Sequence, residues 1–158
     1  MEKNDYSSFC GNYCGACEIL CAYKNKTEND IAAQWGASPD EIKCHGCKSD
    51  IVFKNCNICK IRSCAMDKKI DHCVFCKEFP CKIFGSGESL VEKLPHLKSI
   101  PLNMKIISEK GLETWLKEQE KKWQCPVCGE PFTWYKEKCT VCGRELNQDK
   151  DFLNIASS

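Results

Sequence analysis

The chain has 158 residues, and Lys+Arg 23 against Asp+Glu 22 leaves a net charge of +1. So even a balance gives no global attraction to nucleic acid or to an anionic membrane surface. Sixteen cysteines make up about a tenth of the chain; without them the apolar fraction drops from 42% to roughly a third, lean for a self-sufficient core.

The opening "MEKNDYSSFCGNYC" has no basic region followed by an apolar stretch, so no signal peptide is predicted. No segment approaches the run of about 18 apolar residues that a membrane span needs. The expected setting is cytoplasmic and without membrane insertion, where abundant cysteine reads as metal ligation rather than disulfide bonding. The cysteines are unevenly spread. Twelve lie from Cys10 to Cys81, none from Lys82 to Gln124, and four from Cys125 to Cys142. This predicts a cysteine-rich metal-binding domain over 1–86, a helical connector over 87–122, a zinc ribbon over 123–147 and a frayed tail over 148–158. The expected fold class is small irregular α+β: a metal-stapled domain, helices, and a C-terminal zinc-ribbon hairpin.

Within the first block, "TENDIAAQWG" reads as a short helix. Thr27 is its expected cap and Asp30 sits in the first turn; Ile31 and Trp35 share a face, and Gly36 ends it. "SPDEI" restarts a turn, with Ser38 as cap, Pro39 at the first helical position and Glu41 completing a capping box. In the connector, "GSGESLVEKLPHLKSIP" gives a helical turn or two interrupted at Pro95. "LNMKIISEKG" is helical and stops at Gly111. In "LETWLKEQEKKW", Leu112, Trp115, Leu116, Gln119 and Trp123 line one face, and Glu113–Lys117 and Glu118–Lys122 are favourable i,i+4 pairs. That face is expected to cover the metal blocks.

"CPVCGEPFTWYKEKCTVCGREL" is the clearest motif, C-x2-C-x10-C-x2-C with Gly129 and Gly143 after the pairs. A C-x2-C turn aims two thiolates at one metal, and glycine relieves the tight turn that follows. Cys125, Cys128, Cys139 and Cys142 therefore predict a closed four-thiolate zinc site; a single iron of rubredoxin type is the alternative. "EPFTWYKEK" between them is rich in β-formers and predicts a hairpin. Phe132, Trp134 and Tyr135 with Lys136 and Lys138 offer a weak nucleic-acid surface, against the plainer reading that the aromatics pack inward.

The first block holds four more C-x2-C pairs: Cys14–Cys17, Cys44–Cys47, Cys56–Cys59 and Cys73–Cys76. Cys10, Cys21, Cys64 and Cys81 remain. All twelve are candidate metal ligands. A structural zinc site contributes about 10–16 kcal/mol of binding energy, which here is folding energy. Sixteen thiolates in sets of four predict about four zinc ions. The natural closures are Cys14 and Cys17 with Cys44 and Cys47, and Cys56 and Cys59 with Cys73 and Cys76. The alternative is an iron–sulfur cluster, because Cys10, Cys14 and Cys17 have the C-x3-C-x2-C spacing that holds one in radical enzymes; the ferredoxin run with proline after the last cysteine is missing. One thioredoxin-like active site does not account for so many pairs.

"FCGNYCGACEILCAY", "IKCHGCKSD" and "NCNICKIRSCAMDKKIDHCVFCKEFPCKIF" together resemble a prokaryotic family, domain of unknown function 3795. Its pattern runs CGxxCxxC, a later CxGC, then CxxCxIRxCAxxKxxxxCxxCxxxPC. Cys10, Gly11, Cys14, Cys17, Cys44, Gly46, Cys47, Cys56, Cys59, Ile61, Arg62, Cys64, Ala65, Lys68, Cys73, Cys76, Pro80 and Cys81 match it. The "GLETWLKEQEKKWQCPVCG" stretch is similar to a ribbon attached in some members. The resemblance implies a metal-bound protein and no particular activity. Cys21 departs from the pattern; with Cys21 spare, one site needs a non-cysteine ligand, and His45 and His72 are the candidates.

No Ser/His/Asp set, carboxylate pair or phosphate-binding glycine loop is visible, so hydrolase chemistry has no support. Two function classes remain. One is a zinc-stapled, non-catalytic interaction module for a protein partner. The other is an iron–sulfur redox or electron-transfer protein.

Overall fold

In the computed structural model, the described residues are 6–85 and 94–146. They form seven α-helices joined by single helical turns: α1 Glu18–Asn25, α2 Glu28–Ile31, α3 Lys54–Asn57, α4 Lys60–Lys68, α5 Lys82–Gly85, α6 Ile100–Lys110 and α7 Leu112–Lys122. The expected α+β character is corrected to mostly helical. Among the described residues, β pairing is confined to three isolated antiparallel bridges, Ser7 with Tyr13, Gln124 with Pro131 and Lys138 with Glu145. Residues 1–5, residues 86–93 (the end of the predicted first domain and the start of the predicted connector) and residues 147–158 (the end of the predicted ribbon and the tail) lie outside the described residues. No helix among them is long and apolar enough to cross a membrane.

α1 starts at Cys17, whose extended backbone opens the helix, and closes at Lys26, in the left-handed region at φ 61°. Glu18 in its first turn accepts hydrogen bonds from Gln34 Nε2 at 2.9 Å and Trp35 Nε1 at 3.0 Å. This anchors the expected Ile31–Trp35 segment, which is a short helix followed by a tighter turn at Ala33–Trp35 and ended by Gly36 at φ 60°. Thr27 makes no side-chain cap there. At Ser38 the predicted box does form: the Glu41 carboxylate accepts from the Ser38 amide at 2.7 Å and its hydroxyl at 3.2 Å. Ile19, Leu20, Ala22, Ala32, Ile42, Cys44 and Phe53 make one buried core from these pieces.

A second core runs from the first turn to Leu146. Tyr13, Ala16, Met104, Ile107, Trp115, Trp123, Phe132, Trp134 and Leu146 share it. α6 and α7 pack on each other, and α6 also packs on the Cys73–Phe75 turn. The predicted α7 face is the buried one: Trp115, Gln119 and Trp123 point inward, with Leu112 and Leu116 partly covered. Glu113 pairs with Lys117 at 3.3 Å as expected, whereas Glu118 pairs with Lys110 at 3.2 Å across the Gly111 corner. Gly11 shows what closeness this core requires. At φ +89°, a Cβ there would stand 2.8 Å from Met104 Sδ, so α6 lies against bare backbone beside Cys10.

The segment between the last two cysteine pairs is not a hairpin of strands. Its amides go elsewhere, Phe132 N to the Trp123 carbonyl at 2.9 Å and Trp134 N to the Ala16 carbonyl at 3.1 Å, while its Glu137 carbonyl accepts from Leu146 N, beyond the last pair, at 2.9 Å. A ladder needs those donors paired across the two arms. Here the large aromatic side chains turn into the shared core, and the backbone follows them.

Candidate metal centres

Two similar turns build the C-terminal centre. In the first, Cys125 N donates to the Glu130 carbonyl at 2.8 Å and Gly129 N to the Cys125 carbonyl at 2.7 Å. In the second, Cys139 N donates to the Arg144 carbonyl at 2.8 Å and Gly143 N to the Cys139 carbonyl at 3.0 Å. Gly129 and Gly143 both sit at φ 78°, the positive value that the sequence demanded of them. The four sulfurs lie within 4.8 Å of one another. Cys125 and Cys142 are 3.5 Å apart, and Cys128 and Cys139 are 3.4 Å apart.

The electrostatics favour thiolate where the turns begin. The amides of Cys128 and Val127 point at Cys125 and hold its thiol below the usual range; those of Cys142 and Val141 hold Cys139 down to about 6. Cys125 and Cys139 are buried, while Cys128 and Cys142 are exposed. One half of the site thus faces the core and the other faces solvent. Tetrahedral zinc with bonds of about 2.3 Å spaces its sulfurs by about 3.8 Å, so this set fits a single ion with little movement. The flanking aromatics do not form a stacking platform: Phe132 and Trp134 are buried and Tyr135 is partly so.

The first block gathers its cysteines differently. Long-range ties lace the segments together. Lys48 Nζ donates to Ser7 Oγ at 3.0 Å and lies 3.2 Å from His72 Nε2. From α4, Arg62 Nε donates to the Cys47 carbonyl at 2.8 Å and Nη2 to the Ser49 carbonyl at 2.9 Å. Cys73 N donates to the Phe9 carbonyl at 2.8 Å. These bonds draw the Cys10 loop, the turn of Cys44 and Cys47, α4 and the Cys73 turn together, and the turn of Cys14 and Cys17 lies beside Cys47, Cys44 and Cys56 in the same thiol shell.

Burial raises the Cys14 thiol well above its usual range, and the thiolates of Cys47, Cys17 and Cys10 raise it further. Burial also raises Cys17, with Cys44 and Cys56 adding to it. Cys47 is pushed up to about 12 by burial, helped by Cys10 and Cys59. Against this, amides of Leu20 and Ile19 reach Cys17, that of Phe9 reaches Cys47, and Gly46 N donates to Cys44 Sγ at 3.3 Å. Burial thus disfavours the thiolates of this block, and the amide donors oppose that effect.

Cys64, Cys73, Cys76 and Cys81 form an adjoining group. Cys64 lies on α4 and Cys81 just before α5, where those helices touch. Burial pushes Cys73 up to about 12, with the charges of Cys10, Cys81, Cys64 and Cys76 next. Lys68 Nζ stands 3.7 Å from Cys76 Sγ and pairs with Glu78.

Cys21 stands apart. Its thiol donates to the Gly15 carbonyl at 3.3 Å, and the charges acting on it are those of Lys24 and Glu18, not another thiolate. His72 is buried with its Nε2 beside Lys48, and His45 meets the Tyr23 ring edge-on at 5.2 Å. The role of Lys48 and Arg62 in drawing the turns together had no local signal, although Arg62 falls within the "CxIRxC" pattern.

These features define a cysteine-rich protein with a four-cysteine centre suited to a metal ion. The sequence profile described as "Protein of unknown function (DUF3795)" matches residues 6–86, and the chain belongs to that family. The C-terminal centre lies beyond the matched residues. No curated protein and no solved structure matches the chain.

Proposed function

We propose that this chain is a metal-stapled, non-catalytic binding module whose C-terminal centre holds a structural zinc ion. The observation that carries this is the closure of Cys125, Cys128, Cys139 and Cys142 within 4.8 Å. Four thiolates fill a tetrahedral sphere and leave no position for water or substrate, which suits a structural role. Zinc there supplies about 10–16 kcal/mol of apparent binding energy, which offsets the thin apolar core. A reducing compartment such as the cytoplasm keeps these thiols available.

The expected partner is a protein. Val127 and Val141, each 66% exposed, flank the two outer thiolates at the tips of the turns. Apolar side chains held on a rigid metal-bound turn make a contact surface without an ordering cost.

The test is metal analysis of wild type and Cys128→Ser. We expect the variant to bind about one zinc fewer per chain and to lose hydrogen-exchange protection over 123–146. An unchanged zinc content would refute the reading. A red protein holding iron without labile sulfide, whose colour disappears in the variant, would replace zinc by a rubredoxin-type iron.

A further inference from the structure

The two cysteine-rich regions differ in sulfur spacing. Among the described residues, the C-terminal quartet is the only set of three or more cysteine, histidine or carboxylate ligand atoms that closes within 4.8 Å. The shell of Cys10, Cys14, Cys17, Cys44, Cys47, Cys56 and Cys59 is as cysteine-dense and is buried or half-buried throughout, yet no three of its sulfurs close to that distance. None of these cysteines is in a disulfide.

The thiol neighbours also overlap. Cys17 has Cys44 and Cys56 as its thiolate neighbours, whereas Cys47 has Cys10 and Cys59. Cys14 lies among Cys47, Cys17 and Cys10. Cys56 has Cys44, Cys47, Cys59 and Cys10 around it, so the turns share one overlapping set of neighbours rather than separating into independent four-sulfur groups. The expected closure of Cys56 and Cys59 with Cys73 and Cys76 is not the dominant grouping at Cys73, whose strongest thiolate neighbours are Cys10, Cys81, Cys64 and Cys76.

Spacing decides between ligands. Three or four sulfurs on one zinc, bridging or not, stand about 3.8 Å apart. When inorganic sulfide links several irons, each protein sulfur binds a different iron, and the protein sulfurs stand further apart around a larger body. Such a cluster needs a buried, thiolate-rich pocket with N–H groups aimed at sulfur. The Gly46 amide, 3.3 Å from Cys44 Sγ, is one such donor.

We propose that the N-terminal thiol shell, knit together by Lys48 and Arg62, ligates an iron–sulfur cluster rather than separate zinc ions. This goes beyond the zinc reading of the C-terminal centre and does not depend on it. Cys21 lies outside the ligand set.

The experiment uses the full chain purified without oxygen, then incubated anaerobically with ferric iron, excess thiol and sulfide. Iron, zinc and acid-labile sulfide are counted, and the visible spectrum is recorded before and after dithionite. The expected result is a brown protein with iron and labile sulfide in near-equal amounts, bleaching on reduction, alongside the zinc of the C-terminal centre. Cys44→Ser and Cys59→Ser should lose most of the iron and sulfide, and Cys21→Ser should keep both. If the first two variants do not fold, the sulfide-to-iron ratio of wild type decides.

A colourless wild type that takes up zinc in the first block and no sulfide would overturn the proposal. So would iron without sulfide, or iron and sulfide retained in both Cys44→Ser and Cys59→Ser. Cys128→Ser separates the two ideas: loss of zinc with the brown colour kept tests the C-terminal centre alone.

Discussion

Trp134→Ala tests whether the C-terminal centre and the first cysteine turn share one core. The Trp134 side chain is 5% exposed, and its ring stacks on His96 with centroids 3.6 Å apart and planes 6° from parallel. Truncating a buried Trp to Ala costs about 3–5 kcal/mol, of which the ring pair accounts for about 0.5–1.5. Against a total stability of about 5–15 kcal/mol for an ordinary domain, that is a large fraction. The backbone bond from Trp134 N to the Ala16 carbonyl is available to the variant, so the loss reports on the side chain. Because Tyr13 and Ala16 line the same core, the cost is expected on both sides of the contact. Denaturant unfolding at saturating metal gives the magnitude, and hydrogen exchange gives the location. Protection should fall around residues 13–17 as well as 123–146. A cost below about 1 kcal/mol, or a loss confined to 123–146, would refute the shared core.

Burial pushes the His96 imidazole down to about 3, whereas in the unfolded chain it takes a proton near 6.5. Its contribution to stability is therefore complete above about pH 6.5 and is lost as pH falls toward about 3. His96→Phe keeps an aromatic ring against Trp134 and removes the proton; unfolding curves at stepped pH should show a shallower acid slope by up to one proton, and equal slopes would contradict this burial. Gly11→Ala forces a side chain onto a φ of +89° and a Cβ to 2.8 Å from Met104 Sδ. Backbone strain and overpacking together should cost about 2–4 kcal/mol, read as a lowered melting temperature, and a neutral result would show that α6 can withdraw.

What the sequence disclosed was local. The C-x2-C-Gly turns were legible because four consecutive residues determine their own geometry, and Gly129 and Gly143 behave alike. The α7 stripe was legible because Trp115, Gln119 and Trp123 repeat at four-residue intervals. The hairpin between the last two pairs was misread. β-propensity in "FTWY" reports residues suited to a half-buried surface, and here that surface is offered by Ala16 and Trp123 rather than by a neighbouring strand. The residue type of Thr27 predicts a cap, but its side chain makes no cap bond. Glu118 was assigned to Lys122 by spacing, and the Gly111 corner supplies Lys110 instead. Cysteine grouping was beyond reach for a related reason: Arg62 and Lys48 draw the turns together across 13 and 41 residues, to Ser49 and Ser7, and no short-range pattern encodes those ties.

The bond between Trp134 and Ala16 also bears on how the chain is made. Ala16 lies between Cys14 and Cys17, and it is completely buried. At about 5–20 residues per second, the ribosome delivers residue 134 roughly 6–24 s after residue 16. Through that interval the first cysteine turn has no Trp134 over it, and for most of it neither α6 nor α7 beneath it. Its thiols are open to oxidants and to whichever metal is at hand. The surroundings of the first cysteine turn are therefore complete only once the segment that carries Trp134 has been made.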